Sequence, residues 1–279
     1  MSQEQSQPMP QRHSSEVAGH WQQETEQRQQ SMEEATRQML LAASLKPGDR
    51  VLDIAAGTGD QSMLAARIVG PTGLVLATDI SAEMLQVAAS RAELEQLTNI
   101  RTQVMDAGQL DLDDETFDAA ICRNGLMMLV PRLGQALSEI HRVLKPGRSL
   151  TALVWSAPER NPLHALPLAA IAKYTGASSS NACFSPGPFS LSDPRRFEQA
   201  LADAGFRDVA IQAIPLQLHF ASVEAYLESR RMLVASMIGR LSEPDQQRLM
   251  EEVRQVLSQF EGPQGLVVSA ETLLGVGTR

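Results

Sequence analysis

Cysteine is scarce: Cys122 and Cys183 are the only two in 279 residues. Neither has metal-ligand spacing and no disulfide framework follows, which fits a reducing compartment. Long apolar runs are missing too. None approaches the ~18 residues needed to cross a bilayer, and the polar, Gln-rich start holds no apolar signal core. The expectation is a soluble, cytoplasmic chain with no membrane partner. Positive charge is in short supply, with 24 Lys and Arg against 33 Asp and Glu and a net charge of −9. Arg195-Arg196 and Arg230-Arg231 are isolated pairs and read as solvated helix faces. A chain of this sign without a basic cluster is badly equipped to hold phosphate backbones, so nucleic acid is not an expected partner. There is no Asp/His cluster of the kind that holds a catalytic metal, so no metal is expected.

What is present is a normal core, with 43% hydrophobic residues, and one organising stretch. Val51 to Asp60 reads Val-Leu-Asp-Ile-Ala-Ala-Gly-Thr-Gly-Asp. Its first part is short, apolar and β-branched, as a buried parallel strand should be. Gly57 and Gly59 break it, and Gln61 to Ile68 has helical spacing, with Met63, Leu64 and Ala66 on an apolar face that Ile68 closes. Strand, glycine turn and helix bring bare N–H groups and a positive helix end to one point. A Cβ at the glycines would block the approach of a ligand.

Residues 1–16 are rich in Gln, Ser and Pro and are expected to be disordered. Residues 17–44 read as a helix anchored by Val17, Trp21, Met32, Met39, Leu40 and Leu41. Trp21 either packs this helix on the body or lids a pocket. After the turn at Lys46-Pro47-Gly48-Asp49, strands and helices alternate. Strands are expected at Arg50–Ala55, Leu74–Thr78, Ile100–Met105, Ala119–Cys122 and Ser149–Trp155. Ser81 caps the helix after the second strand, with Met84, Leu85, Val87 and Ala88 facing inward. A helix over Leu133–Leu144 stops at Lys145-Pro146-Gly147. Such alternation predicts an α/β fold, a doubly wound and mostly parallel sheet with ligands at the carboxyl ends of its strands. A sixth strand at Arg207–Ile214 and a seventh in Leu266–Thr278 would run antiparallel to each other, with amphipathic helices over Ser222–Ile238 and Glu243–Phe260 between them.

The strand ends carry, in order, the Gly57/Gly59 turn, Asp79, Asp106-Ala107 and Arg123-Asn124-Gly125. Asp79 lies 20 positions after Gly59, where a carboxylate can accept from both hydroxyls of a ribose. Ser81 is available for the helix cap, which frees Asp79 for that role. Asp106 can accept from an adenine amino group while the next backbone N–H donates to a ring nitrogen.

With these features the chain resembles the class I S-adenosylmethionine-dependent methyltransferases, closest to the branch named for ubiquinone and menaquinone biosynthesis. The resemblance runs through Val51 to Gly59, Asp79, Asp106-Ala107 and Phe117-Asp118. It continues through Ile140-His141-Arg142-Val143-Leu144-Lys145-Pro146-Gly147 and Phe197 to Phe206, and covers roughly residues 48–213. It implies a seven-stranded Rossmann-like sheet with a helical cap, and S-adenosyl-L-methionine as cofactor. By resemblance Asp53 orients the methionine amino end through water or a neighbouring amide. Ala55, Gly57, Thr58 and Gly59 pass beside the methionine. Asp79 holds the ribose, Ile80 and Met84 flank the adenine, and Asp106 with Ala107 reads its edge. The backbone near Arg123 and Asn124 contacts the methionine amine. Two departures stand out: Ala55 where the family's first motif usually begins with glycine, and Arg148 where a second glycine usually follows Pro146-Gly147.

Residues 157–194 form an insertion that the core of the fold does not need. They are the candidate lid over the methyl group, in a methyltransferase domain over 45–279 with further helices within 222–260. Trp21, Trp155, His164 and Tyr174 are the candidate substrate contacts. His164, Tyr174 and His219 are candidate bases, needed only if the acceptor ionises poorly; His141 reads as structural. The expected reaction is methyl transfer to O, C or N of a small apolar or aromatic metabolite, with a second copy of the chain as a candidate partner. Two alternatives stay open. A nicotinamide-dependent oxidoreductase would share Gly57, Gly59 and Asp79 but leaves Asp106 unexplained. A non-catalytic binding subunit would keep the fold and bind the cofactor without turnover.

Overall fold

A computed structural model of the chain describes residues 25–176, 187–239 and 241–279. The expected tail over 1–16, Val17, Trp21 and Cys183 lie outside the described residues. In chain order the elements are α1 (Thr25–Ala42), β1 (Arg50–Ile54), α2 (Asp60–Val69), β2 (Leu74–Asp79), α3 (Ala82–Leu94), β3 (Ile100–Val104), β4 (Phe117–Arg123), α4 (Leu133–Val143) and β5 (Leu144–Trp155). Then follow α5 (Pro162–Thr175), α6 (Pro194–Asp203), β6 (Arg207–Phe220), α7 (Val223–Ile238), α8 (Glu243–Ser258), β7 (Glu261–Gly262) and β8 (Gly265–Thr278).

The strands form one sheet in the order β3-β2-β1-β4-β5-β8-β6, with the two-residue β7 paired to β8. From β3 to β5 every pairing is parallel, whereas β8 runs antiparallel to both β5 and β6. The mostly parallel α/β sheet and the antiparallel last pair match expectation, and β7 makes the described sheet eight-stranded rather than seven. Val51, Leu52 and Ile54 of β1 are fully buried, as are Ala120, Ile121 and Cys122 of β4. Strands covered on both faces read as continuous apolar runs because both rows of side chains leave water, at roughly 1.5–3 kcal/mol for each Val, Leu or Ile. Ser81 caps α3 as expected, its Oγ accepting from the Met84 N–H at 3.2 Å.

Several boundaries and faces differ from expectation. β5 begins at Leu144, not Ser149: Leu144 pairs with Phe117, and a bulge absorbs the next residues before Ser149 pairs with Ala119. Lys145-Pro146-Gly147 is therefore an irregularity within a strand rather than a stop. β6 continues six residues past Ile214, because Ile214, Leu216, Leu218 and Phe220 are buried while Pro215, Gln217 and His219 face out. That is the period of two that marks a half-buried strand. His219 thus sits within β6, opposite Val267, and not between a strand and a helix. Leu41, expected to anchor α1, is 62% exposed; Met32, Ala35, Met39 and Leu40 bury the helix instead. Ile68 does not close the face of α2 and is 41% exposed, while Val69 is fully buried.

Candidate functional site

Neighbouring β2 and β4 flank β1, so β1 and β4 meet where the order of the parallel strands reverses, the usual crevice for ligands in such sheets. The backbone leaving β1 turns through left-handed positions at Ala55 (φ 53°), Gly57 (57°) and Gly59 (81°). Asp79, at the end of β2, supports this turn directly. Its Oδ2 accepts from the Gly57 N–H at 2.9 Å and its Oδ1 from the Ser81 N–H at 2.9 Å. Each carboxylate oxygen keeps a second lone pair for a further donor. A Cβ on Gly57 would stand 3.7 Å from the Met84 sulfur, which places Met84 over the turn. Ile80 is 46% exposed beside it.

Asp53 lies deeper, fully buried in β1. It accepts from the Gln61 side-chain amide at 2.9 Å and from the Ser62 hydroxyl. Burial pushes its carboxyl up to about 7, against the opposing pull of the Ser62 and Gln61 hydrogen bonds and of Arg123. Gln61 and Ser62 both lie on the first turn of α2.

At the end of β4, Asn124 adopts φ 56° and its N–H donates to Leu153 at 2.8 Å. Its side-chain Oδ1 is buried with no hydrogen-bond partner among the described residues. A buried amide oxygen left without a donor costs about 1–3 kcal/mol. It is therefore a buried acceptor in need of a donor. Gly125 follows, packed so tightly that a Cβ would lie 2.7 Å from the Ala55 Cβ.

Asp106, after β3, accepts from the Gly108 N–H at 2.8 Å and from Arg132 at 2.9 Å. Ala107 beside it is buried. The Arg132 partner was not foreseen. Nor was the Asp60 carboxylate, which is wholly buried and paired to Arg91 at 2.7 Å and Arg123 at 2.5 Å. Its signal was an acidic residue directly after Gly59, at the positive end of a helix. Arg123 was expected to act through its backbone; its side chain instead reaches α1 and α2.

Of the acceptor-side candidates within the described residues, Trp155 and His164 are brought together and Tyr174 is not. Trp155, at the carboxyl end of β5, is buried and holds the His164 ring at 4.3 Å between centroids. Burial drives His164 down to about 3, with the charge of Arg230 adding to the effect, so it is neutral at ordinary pH and weak as a base. Its Nδ1 is buried without a partner among the described residues. Tyr174 is ten residues further along α5, about 15 Å away by helical rise. There it lies near Lys173, whose Nζ is 5.7 Å from its ring centroid. His219 is exposed on β6, and Trp21 lies outside the described residues. His141 packs edge-on against Phe206 at 5.1 Å, the structural role expected of it. Among the described residues no group of three or more His, Cys, Asp or Glu is placed to hold a metal ion, and no helix is long and apolar enough to cross a membrane.

A family model described as a methyltransferase domain matches residues 51–147. The likeness to that family lies in these residues. Its span opens with β1 and runs into β5, so it encloses the glycine turn, Asp79, Asp106 and Asn124. The chain is 39% identical over 122 residues to a ubiquinone/menaquinone biosynthesis C-methyltransferase of Teredinibacter turnerae, covering 43% of this chain and 49% of that one. It is 41% identical over 117 residues to a 2-phytyl-1,4-naphtoquinone methyltransferase of Synechococcus elongatus, covering 42% and 50%. The chain thus spans about half the length of the curated relatives it matches. Among solved structures it is similar to the YcgJ protein of Bacillus subtilis, with a TM-score of 0.59 at 18% identity, over 88% of this chain and 98% of that one. That likeness is one of fold.

Proposed function

We propose that this protein transfers a methyl group from S-adenosylmethionine to a small, apolar or aromatic acceptor related to the quinones. The observation that carries the reading is the pair of acceptors at the carboxyl ends of the two strands that flank β1: Asp79 beside the glycine turn, and Asn124 with its buried, undonated Oδ1. This donor demand fits the cofactor. Asp79 offers lone pairs to the two ribose hydroxyls. Asn124 offers its amide oxygen to the methionine ammonium, with the Asp53 carboxylate behind it. Met84 and Ile80 cover the adenine, and Asp106 with the Ala107 N–H meets its edge. When bound, the cofactor supplies an electrophilic methyl on a sulfonium. The protein's part is to hold the acceptor in line and exclude water.

An acceptor that ionises by itself needs no protein base, and a neutral His164 against Trp155 suits a wall of the acceptor site better than a base. The lid over 157–194 and α1 are the segments assigned to acceptor choice. Both relatives described above are named as methyltransferases, and Asp106 has no role in the oxidoreductase alternative. The relatives are named for ubiquinone/menaquinone biosynthesis and for 2-phytyl-1,4-naphtoquinone, which is the support for an acceptor of that class. A cytoplasmic location and a homodimer belong to the same proposal; fractionation and sedimentation test them.

Calorimetric titration with S-adenosylhomocysteine, followed by mass analysis of a quinol and phenol panel, tests the function. Micromolar binding and a gain of one methyl on an acceptor support it. Absence of binding at millimolar ligand overturns it, and binding without turnover across the panel favours the non-catalytic subunit.

A further inference from the structure

Asp60 opens α2 immediately after Gly59, and its side chain is wholly shielded from solvent. Two arginines from different elements converge on it. Arg91 of α3 donates one Nη1 both to its Oδ1 and to the Thr58 carbonyl, each at 2.7 Å. Arg123, the last residue of β4, donates Nη2 to its Oδ2 at 2.5 Å. The other arm of Arg123 turns the opposite way and donates to the Thr36 hydroxyl of α1 at 3.2 Å. Thr36 is 1% exposed, and its own proton goes to the Met32 carbonyl at 2.8 Å. One guanidinium therefore ties three elements together, and the next residue is Asn124, held at φ 56°.

This wiring is more than α1 needs for adhesion. Met32, Ala35, Met39 and Leu40 already bury its apolar side. What a polar link adds is register, because a hydrogen bond fixes direction and distance where apolar contact does not. Asp60 follows the glycine turn after β1, and Asn124 follows the neighbouring strand β4. The planar fork of arginine, with donors pointing to both sides, spans such a gap; the point charge of lysine does not. A buried guanidinium is costly unless its donors are satisfied, so Arg123 holds its place only while the Asp60 and Thr36 contacts are both made.

We propose that Arg123 is a positioning residue for the cofactor seat: through Asp60 and Thr36 it sets the gap between the glycine turn and Asn124 and couples α1 to that seat. The inference rests on the methyltransferase reading. It assigns to Arg123 no contact with the reacting atoms. It makes the affinity for cofactor sensitive to a helix that need not touch it.

The test uses the full chain as wild type, R123K, T36V and the double variant. Each is measured for S-adenosylhomocysteine affinity by calorimetry, for KM and kcat with S-adenosylmethionine, and for Tm. Coupled buried pairs lead to an expected rise in Kd of about tenfold for R123K and about threefold for T36V, with the double variant no weaker than R123K alone. KM should follow Kd while kcat at saturation stays near wild type. Wild type that binds normally, with R123K or T36V within error of it, overturns the inference and leaves the methyltransferase reading standing. So does a loss confined to kcat and Tm, or strict additivity in the double variant. Should R123K fail to fold, T36V decides alone, since it removes one acceptor at nearly constant shape. Wild type that binds no S-adenosylhomocysteine overturns both readings.

Discussion

The Cβ of Ala55 occupies the space that a side chain on Gly125 would need: a Cβ built there falls 2.7 Å from it and 2.7 Å from the Cys122 sulfur. The end of β1 and the turn after β4 are thus mutually fitted, with one methyl group between them. G125A should destabilise the protein by about 1–3 kcal/mol, the usual cost of forcing volume into a packed core. Ala55 itself carries a positive φ of 53°, a conformation that costs an alanine roughly 1–2 kcal/mol. A55G should therefore raise stability by about 0.5–1 kcal/mol after the entropy of glycine is counted. The double variant A55G/G125A should recover about half of the loss, because Ala55 is one of the two obstacles. Thermal melts of the four proteins check this; a double variant no better than G125A would show that Cys122 alone sets the limit.

Asp79 already accepts from two backbone N–H groups, and the proposed ribose adds to that load. D79N removes the charge and turns an amine toward one of those donors. Its affinity for S-adenosylhomocysteine should fall roughly tenfold to a hundredfold, the worth of one or two charge-assisted hydrogen bonds. Calorimetry on D79N, with circular dichroism to verify the fold, gives the answer. Unchanged affinity would remove Asp79 from the seat.

Stability against pH is a contest between two buried groups. Burial raises Asp53 from 3.8 to about 7, so between those values the folded state holds a proton that the unfolded state has released. Stability from this group is full at low pH and falls as pH rises toward 7. Burial lowers His164 from 6.5 to about 3, so in that range the unfolded state takes the extra proton. Stability from His164 is full above 6.5 and is lost as pH falls toward 3. The two slopes oppose each other over most of pH 4 to 6.5. D53N should expose a stability that rises with pH in this window, and H164Q one that falls. Denaturant midpoints at pH 4.5, 5.5 and 6.5 check both signs. The same argument expects kcat in wild type and H164Q to share one pH profile between 6 and 8.

The sheet and the row of strand ends were legible because the central parallel strands are apolar runs ended by a break, as in Val51–Gly57 and Ala119–Asn124. Asp79 was legible from its spacing to Gly59. What spacing could not supply was partnership across the fold. Nothing near Arg91 or Arg123 in the chain announces that both close on Asp60, since the three residues come from separate elements. The extent of β6 was missed for a different reason. Pro215 sits in the middle of its alternation, and a proline in a strand reads as a stop unless the strand lies at an edge, as β6 does. Leu41 and Ile68 were misplaced because a helix with apolar residues on adjacent positions cannot bury all of them.

The position of β8 between β5 and β6 has a bearing on the order in which the molecule is made. β6, α7 and α8 leave the ribosome before the strand that connects them to the sheet. Until β8 inserts, β5 presents an open edge and the long apolar row of Ile214, Leu216, Leu218 and Phe220 has no sheet to join. The cofactor half of the sheet, by contrast, is complete once β5 has emerged. Synthesis therefore passes through a stage with a formed crevice at the β1/β4 strand ends and an unsheltered hydrophobic arm. At that stage the nascent chain is most in need of a chaperone.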